Sequence, residues 1–178
     1  MTEIVRLGAP GRAETPEEAL RRLMQAWEIP VRRMCCVYLR DEELARDAVQ
    51  ETFLKAYRGL ERFRGESSEQ TWLMSIAINT CRDMRRAAWF RYIDRRVTLD
   101  KLPEPAAETS WEKTELILDV MKLPPKQLDV VLLHFYQGMS VREIGAALGI
   151  PYQTVTSRLK AACARLRMEM EEGGDHHD

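Results

Sequence analysis

The side chains with the clearest scope for chemistry are three arginines that follow a polar loop. Arg82, Arg85 and Arg86 recur at helical spacing, so they would share one helix face and could contact phosphates. In the loop before them, at 63–71, hydroxyls and amides could read the edge of an unstacked base while a nearby aromatic ring stacks on it. From the residues alone, a solvated basic face and two buried tryptophans are favoured, and nucleic-acid binding is the alternative.

Motifs of catalysis are missing from the sequence. There is no H-E-x-x-H, no phosphate-binding P-loop and no set of Cys, His and Asp at usable spacing. His134 lies among apolar residues and is expected to be structural, and the terminal stretch 175–178 could scavenge a metal but is expected to be a disordered tail. We expect no catalytic residue, cofactor, metal site or small-molecule substrate.

Residues 140–167 have the spacing of a helix-turn-helix. Gly145 is small enough for two steeply crossing helices to touch, and Gly149 tolerates the positive φ of the turn. The second helix then turns one polar face outward, where it could reach a major groove. That face carries Tyr152, Gln153, Thr156, Ser157 and Lys160, above an inner core of Ile144, Leu148, Val155 and Leu159. A plain helical hairpin is the alternative.

Apolar residues recur with a period near 3.6, and no segment alternates strictly, so the fold class is all-α with two small helical domains. Capping signals predict helix starts at Thr15, Asp41, Ser68 and Ser140. Pro30 is expected to break or restart the first helix. One buried stripe is expected to contain Leu128, Val131, Leu132, Phe135 and Tyr136.

Charge is distributed unevenly around a formal net charge of −1. Residues 17–96 hold sixteen Lys/Arg against thirteen Asp/Glu, and 120–170 hold seven against three. Between them, 97–119 hold two against six, so two mildly basic bodies flank an acidic stretch. We expect a flexible arm at 1–14, domains at 15–96 and 111–170, an acidic Pro-containing linker at 97–110 and an acidic tail at 171–178.

The cysteines and the hydropathy of the sequence indicate the cellular compartment of the protein. The four cysteines, Cys35, Cys36, Cys81 and Cys163, have no framework spacing and are expected to be reduced thiols. No apolar run reaches the ~18 residues of a membrane span, and the first residues have no signal-peptide core. We expect a soluble, cytoplasmic protein with no direct membrane insertion.

Two groups of motifs resemble a known family. DAVQETFLKAY at 47–57, FRGESS at 63–68 and TWLMSIAINT at 71–80 resemble region 2 of extracytoplasmic-function sigma factors of bacterial RNA polymerase. LPPKQ at 123–127, SVREIG at 140–145, LGIP at 148–151 and TVTSRL at 154–159 are similar to their region 4. Both regions occur in the family's order over most of 17–168.

The resemblance implies binding roles for the N-terminal half. Its helix would dock on the clamp of the large subunit of core RNA polymerase through Asp47, Gln50, Glu51 and Lys55. The loop would hold a base flipped out of the −10 element, with Trp72 packed under the loop. The implied −10 contacts are Phe63, Arg64, Gly65, Glu66, Ser67, Ser68, Thr71, Asn79, Arg82, Arg85 and Arg86.

For the C-terminal half, the resemblance implies −35 recognition in the major groove by Arg142, Tyr152, Gln153, Thr154, Thr156, Ser157, Arg158 and Lys160. Gln153 stands where the family often has glycine, and Ala161 and Cys163 stand where it often has arginine. This helix therefore offers fewer phosphate contacts, while Gln153 could add a contact to adenine.

The implied function is to direct polymerase to promoters of a stress or envelope regulon, melting DNA without bond chemistry, under control of an anti-sigma factor. The −10 and −35 elements lie about 70 Å apart. A fourteen-residue linker reaches at most about 50 Å, so the two domains themselves must span the remaining distance. Rival functions are a stand-alone helix-turn-helix regulator, an enzyme and a pure interaction module. Whether the free domains are compact or splayed is left open.

Overall fold

The computed structural model describes residues 14–89 and 111–173, and side chains within 14–87 and 116–168. Every regular element in these two stretches is helical, as predicted. The elements are α1 (Pro16–Leu39), α2 (Glu42–Gly59), a 3-10 turn (Leu60–Arg62), α3 (Glu69–Trp89), α4 (Trp111–Lys122), α5 (Pro125–Val131), a π-helical turn (Leu132–Tyr136), α6 (Val141–Leu148) and α7 (Tyr152–Gly173). The predicted arm, linker and tail lie outside the described residues, apart from Glu14 and 171–173.

Helix α1 begins at the predicted capping box but does not stop at Pro30. The backbone N–H of Glu18 donates to the Thr15 hydroxyl at 3.2 Å, and its carboxylate accepts from the Thr15 N–H at 2.8 Å. The expected break at Pro30 is wrong, because α1 runs through it to Leu39. Proline removes one helical hydrogen bond, but Val31 and Met34 directly beyond it are fully buried, and their packing holds the helix together.

Helices α1, α2 and α3 pack on one another around small and aliphatic side chains. The Asp41 carboxylate caps α2 by accepting from the Leu44 N–H at 3.0 Å. Alanines with no exposed surface on α2, at 45, 48 and 56, let its neighbours approach closely. The buried side of α3 consists of Leu73, Met74, Ala77, Ile78 and Cys81.

The stripe at 128–136 departs from the expected pattern. Leu128, Val131 and Leu132 are buried, whereas Phe135 is 60% and Tyr136 37% exposed. The helix widens into a π turn at Leu132–Tyr136, and the changed residues per turn rotate the last two rings out of the core. Including these two aromatics in the buried stripe was therefore wrong.

His134, in the same turn, is structural as expected. Its Nδ1 lies 2.8 Å from the carbonyl oxygen of Met139. A carbonyl only accepts, so Nδ1 donates and ties the π turn to the loop before α6.

The N-terminal helices, α1 to α3, contact the C-terminal helices, α4 to α7. Helix α3 packs on α6 and α1 on α4, and the buried side chains of both groups form one continuous core. Polar contacts also join the two groups. Gln70 Nε2 donates to the Gln137 carbonyl at 2.7 Å, Gln137 Nε2 donates to the Pro30 carbonyl at 3.1 Å, and Arg82 pairs with Asp129. The described helices are thus in a closed arrangement.

Candidate protein and nucleic-acid interfaces

A polar stripe on α2 contains the residues expected to contact polymerase. Asp47 and Gln50 are exposed, and Glu51 is half-buried. Glu51 pairs with Lys55 at 3.7 Å, and Lys55 Nζ also donates to the Thr80 hydroxyl on α3 at 3.2 Å. Spacings of three and four residues place all four on adjoining faces of the helix.

Beside this stripe lies an apolar groove between α1 and α2 that sequence reasoning missed. Its walls include Leu20, Met24, Phe53, Leu54 and Tyr57, and it encloses about 600 Å³. Met24 is 37% and Leu54 44% exposed, which is unusual for large apolar side chains that flank a charged surface. The helical period of apolar residues does not show which edge of a stripe is left uncovered, so it could not indicate this groove.

The loop between the 3-10 turn and α3 forms a cavity of about 380 Å³, lined by Arg62, Phe63, Arg64, Glu66, Ser67 and Trp72. One wall is aromatic, because the Phe63 and Trp72 rings lie 4.8 Å apart at 31°. Trp72 lines the cavity, and its ring would lie 3.1 Å from a Cβ added at Gly59. Whether this ring only supports the loop or also stacks on a base stays a prediction. Gly65 has φ +71°, which lets the loop turn back over the cavity.

Two of the expected loop contacts have structural roles at the start of α3. The Ser68 hydroxyl accepts from the Thr71 N–H at 3.1 Å and donates to the Thr71 hydroxyl at 2.9 Å. Thr71 is only 3% exposed and is not among the residues that line the cavity. The Thr71 hydroxyl helps to fix the helix cap by accepting from the Ser68 hydroxyl, and its contact with DNA stays a prediction. Arg62, which lines the cavity, was not predicted.

The arginines of α3 lie about three to four helical turns beyond Trp72, which lines the loop cavity. Asn79 is exposed and does not line that cavity; its Oδ1 accepts from Arg82 Nη1 at 3.3 Å. The Arg85 guanidinium lies over the Tyr38 ring, 5.7 Å from its centroid. Arg82, Arg85 and Arg86 line one cleft, so they share a face as their spacing predicted.

The helix-turn-helix forms from α6 and α7 as predicted. Ser140 and Glu143 make a capping box at the start of α6, and Gly149 ends the helix with φ 64°. Ile144 and Val155 are fully buried, with Leu148 and Leu159 packed against them. The two helices therefore cross at a fixed, tightly packed contact.

On α7, the residues expected to read DNA are divided between two surroundings. Tyr152, Gln153, Ser157 and Lys160 are exposed, Tyr152 by 56%. Thr154 and Thr156 are half-buried, and the Thr156 hydroxyl donates to the Tyr152 carbonyl at 3.1 Å. Arg142 is exposed at the start of α6. Arg158 instead lines the cleft with the α3 arginines.

That cleft joins the two helical groups and encloses about 570 Å³. Tyr38 lies on it, and burial, then the negative charge of Asp129, raise the pKa of the Tyr38 phenol. Its cationic lining consists of Arg82, Arg85, Arg86, Lys126 and Arg158, and its acid is Asp129.

Within the described residues no group of three or more His, Cys, Asp or Glu could hold a metal. None of the helices in this part of the chain has the length and hydrophobicity of a membrane-spanning segment. The four cysteines are free thiols.

Comparison with known families decides the class. Residues 23–91 match the family model for sigma-70 region 2, and residues 118–166 match that for sigma-70 region 4. The chain belongs to the sigma-70 family. Members of this family are transcription initiation factors that direct RNA polymerase to promoters, and this chain is a sigma factor of the extracytoplasmic-function type.

Individual relatives agree. The chain is similar to the RNA polymerase sigma-E factor of Streptomyces antibioticus, with 36% identity over 132 residues, 71% of each chain. It is also similar to the ECF RNA polymerase sigma factor SigW of Bacillus subtilis, with 26% identity over 88% of this chain and 91% of that one. Its fold is shared with a sigma factor, RpoE, solved with the anti-sigma factor NepR from Bartonella quintana, with TM-score 0.71, 20% identity and coverage of 86% and 98%.

Proposed function

We propose that this sigma factor binds polymerase through α2, captures a −10 base in the loop cavity and reads the −35 element through α7. The observation that supports the central step is the cavity itself. A dry cavity of about 150 Å³ admits benzene, so 380 Å³ gives room for a base. The Phe63–Trp72 wall offers a π face, and Ser67 and Glu66 offer polar groups to the base edge.

Polymerase docking is supported by the stripe and the groove together. Asp47 and Gln50 expose polar groups beside an uncovered apolar surface at Met24 and Leu54. Protein interfaces commonly combine an apolar centre with a polar rim, and this part of α2 offers both. Glu51 and Lys55 complete the proposed rim, with Lys55 held in place by Thr80.

Recognition of the −35 element is supported by the exposed face of α7. Base readout would come from Tyr152, Gln153 and Ser157, and phosphate contacts from Lys160, Arg158 and Arg142. The proposed domains are 15–96 and 111–170. Because phosphate contacts dominate the salt dependence, each cation removed should lower the salt slope of binding by about one.

We also infer an anti-sigma partner, in keeping with the partner of the sigma factor that shares this fold. The site of action is the cytoplasm, where polymerase is, and the proposed mechanism makes and breaks no covalent bond.

The proposed contacts with the −10 element extend beyond Glu66, Ser67 and Trp72. The remaining ones are Phe63, Arg64, Gly65, Ser68, Asn79, Arg82, Arg85 and Arg86.

The first test is co-migration with core bacterial RNA polymerase on size exclusion. Wild type should co-migrate, and Asp47→Ala/Glu51→Ala should lose at least ten-fold in affinity. The matched control is Glu42→Ala/Glu61→Ala, which removes two acids from exposed positions off the proposed stripe. This control should bind like wild type.

Wild type that failed to bind polymerase but bound duplex DNA alone would favour a stand-alone regulator. An equal loss of polymerase affinity in both double variants would show that total charge, rather than the α2 stripe, determines docking.

A further inference from the structure

Arg22 of α1 is bound to the first turn of α3. Its Nη1 and Nη2 donate to the two carboxylate oxygens of Glu69, at 2.7 and 2.8 Å. Its Nε and Nη2 also donate to the carboxylate of Glu14, at 2.9 and 3.0 Å. Paired hydrogen bonds from one planar guanidinium fix the orientation of a carboxylate as well as its distance. Arg22 therefore holds Glu69 in place more tightly than a single contact would.

Glu69 lies where the loop of the proposed −10 cavity becomes helix α3. The helix begins at Glu69, and in the same turn the Trp72 N–H donates to the Ser68 carbonyl at 3.0 Å. Ser67 and Trp72, on either side of Glu69 in sequence, both line the cavity. A rotation or shift of this turn would therefore move two of the groups proposed to contact the base.

The other end of the loop is also bound to α1. The Tyr57 hydroxyl donates to Glu17 Oε1 at 2.7 Å. Tyr57 lies in the last turn of α2, directly before the 3-10 turn that leads into the loop. Glu17 and Arg22 are only about 7.5 Å apart along the helix axis. One short stretch of α1 therefore holds both ends of the loop.

Between its ends the loop is held less firmly. The Ser67 hydroxyl lies 3.4 Å from the Ser68 carbonyl, which is longer than a strong hydroxyl hydrogen bond. Gly65 has φ +71° and no side chain to restrict its backbone. The positions of the two ends therefore have a large influence on the shape of the cavity.

We propose that Arg22 is a positioning residue for capture of the −10 base, which holds the α3 end of the loop cavity in place through Glu69. The proposal rests on the proposed function of that cavity. Arg22 does not itself line the cavity, so it acts through Glu69 and not by touching DNA. The side chains of Arg22 and Glu69 are 38% and 25% exposed, and ion pairs this exposed contribute little to global stability. The effect of removing the pair should therefore be local to the loop.

Hydrogen–deuterium exchange of the full chain measures this positioning directly. In Arg22→Gln, the backbone amides at 63–72 should exchange about ten-fold faster than in wild type, because the first turn of α3 opens more often. Arg22→Lys keeps the charge but loses the bidentate geometry, so its exchange should be intermediate. It decides the same question if Arg22→Gln does not fold. The matched control is Arg46→Gln, which removes an arginine paired with Glu42 on its own helix and should leave exchange at 63–72 unchanged.

A charge swap separates the role of the pair from the mere presence of an arginine. Glu69→Arg alone places two cations together and should loosen the loop at least as much as Arg22→Gln. Arg22→Glu/Glu69→Arg restores an ion pair between the same two positions. It should bring exchange at 63–72 back to within about three-fold of wild type.

The functional readout is the binding of −10 DNA by holoenzyme. The probe is a fork junction that wild-type holoenzyme has selected from a pool randomised over the −10 element. With core polymerase in excess, fluorescence anisotropy should show about five-fold weaker fork binding for Arg22→Gln and recovery in the charge swap. The affinity for core polymerase and the urea midpoint of unfolding should match those of Arg46→Gln.

Unchanged exchange at 63–72 in both Arg22→Gln and Arg22→Lys would overturn the proposal, and so would a charge swap that rescues neither exchange nor fork binding. Normal fork binding by Arg22→Gln, with weakened binding by Ser67→Ala, would also overturn it, because the cavity would then capture the base without Arg22. Fork binding that neither Ser67→Ala nor Arg22→Gln changes would contradict the proposed function of the cavity, and the role of Arg22 would fall with it.

Discussion

Gly145 of α6 lies directly against the backbone of Ile150. A Cβ added at Gly145 would lie 2.9 Å from the Ile150 carbonyl oxygen. The Ile150 N–H also donates to the Gly145 carbonyl at 3.0 Å, which fixes the two backbones against each other. Backbone meets backbone here, so no side chain can move aside, and this approach sets how α7 leaves α6.

Gly145→Ala should therefore destabilise the protein by about 1–3 kcal/mol, although alanine is favoured over glycine in a helix by about 1 kcal/mol. Urea unfolding followed by helical circular dichroism measures it. The control is the reverse change at the exposed next position, Ala146→Gly, which should cost about 1 kcal/mol. Helix propensity alone would make Gly145→Ala stabilising and Ala146→Gly destabilising. A stabilised Gly145→Ala would therefore contradict the close approach.

The helix-turn-helix could be predicted because its determinants are local. A capping box needs two residues three apart, and a positive-φ turn needs glycine, so Ser140, Glu143 and Gly149 carry the information themselves. The same is true of Thr15 and Asp41. Phe135 and Tyr136 were misplaced because a π turn shifts the helical register without changing residue type.

The closed contact could not be predicted, because its partners are far apart in sequence. Asp129 and Arg82 are 47 positions apart, and Gln137 and Pro30 are 107 apart. Neither pair has a spacing signal. Pro30 was misjudged for a related reason: helix breaking is a local tendency, whereas the packing of Val31 and Met34 that overrides it is tertiary.

Thr71 and Ser67 lie close together in sequence but should act differently, Thr71 on stability and Ser67 on DNA binding. Thr71→Val should lower the free energy of unfolding by about 1 kcal/mol, because the Ser68 hydroxyl loses its acceptor, and should leave promoter binding by the folded protein within two-fold. Ser67→Ala, in the cavity lining, should leave stability within about 0.5 kcal/mol and weaken holoenzyme binding to a −10 fork about three- to ten-fold. Urea unfolding and fluorescence anisotropy measure the two effects, and the reverse assignment would show that Thr71 reaches DNA.

Thiol reactivity should report the packing of α1 on α3. Cys81 Sγ donates to Cys35 Sγ at 3.5 Å, both side chains are fully buried, and the hydrogen bond and burial raise the pKa of Cys35. Burial also raises the pKa of Cys36. Because the thiolate is the reactive form, Ellman's reagent should label Cys163 within minutes and the others about a hundred-fold more slowly until urea is added. Cys163→Ser should abolish the fast phase, and rapid labelling of Cys35 would mean that α1 and α3 separate locally.

Tyr38 should make the closed protein sensitive to alkali. It is 2% exposed, and burial and the charge of Asp129 raise its pKa above that of a free phenol. A group whose pKa is raised on folding contributes its stability below the unfolded pKa, about 10 for tyrosine, and loses it as pH rises further. Wild type should therefore lose about 1 kcal/mol more than Tyr38→Phe between pH 9.5 and 11, since the variant keeps its ring over Arg85 but has no proton to lose. Urea unfolding at both pH values measures the difference, which also cancels the other tyrosines; parallel losses would show that Tyr38 ionises as freely in the folded chain as in the unfolded one.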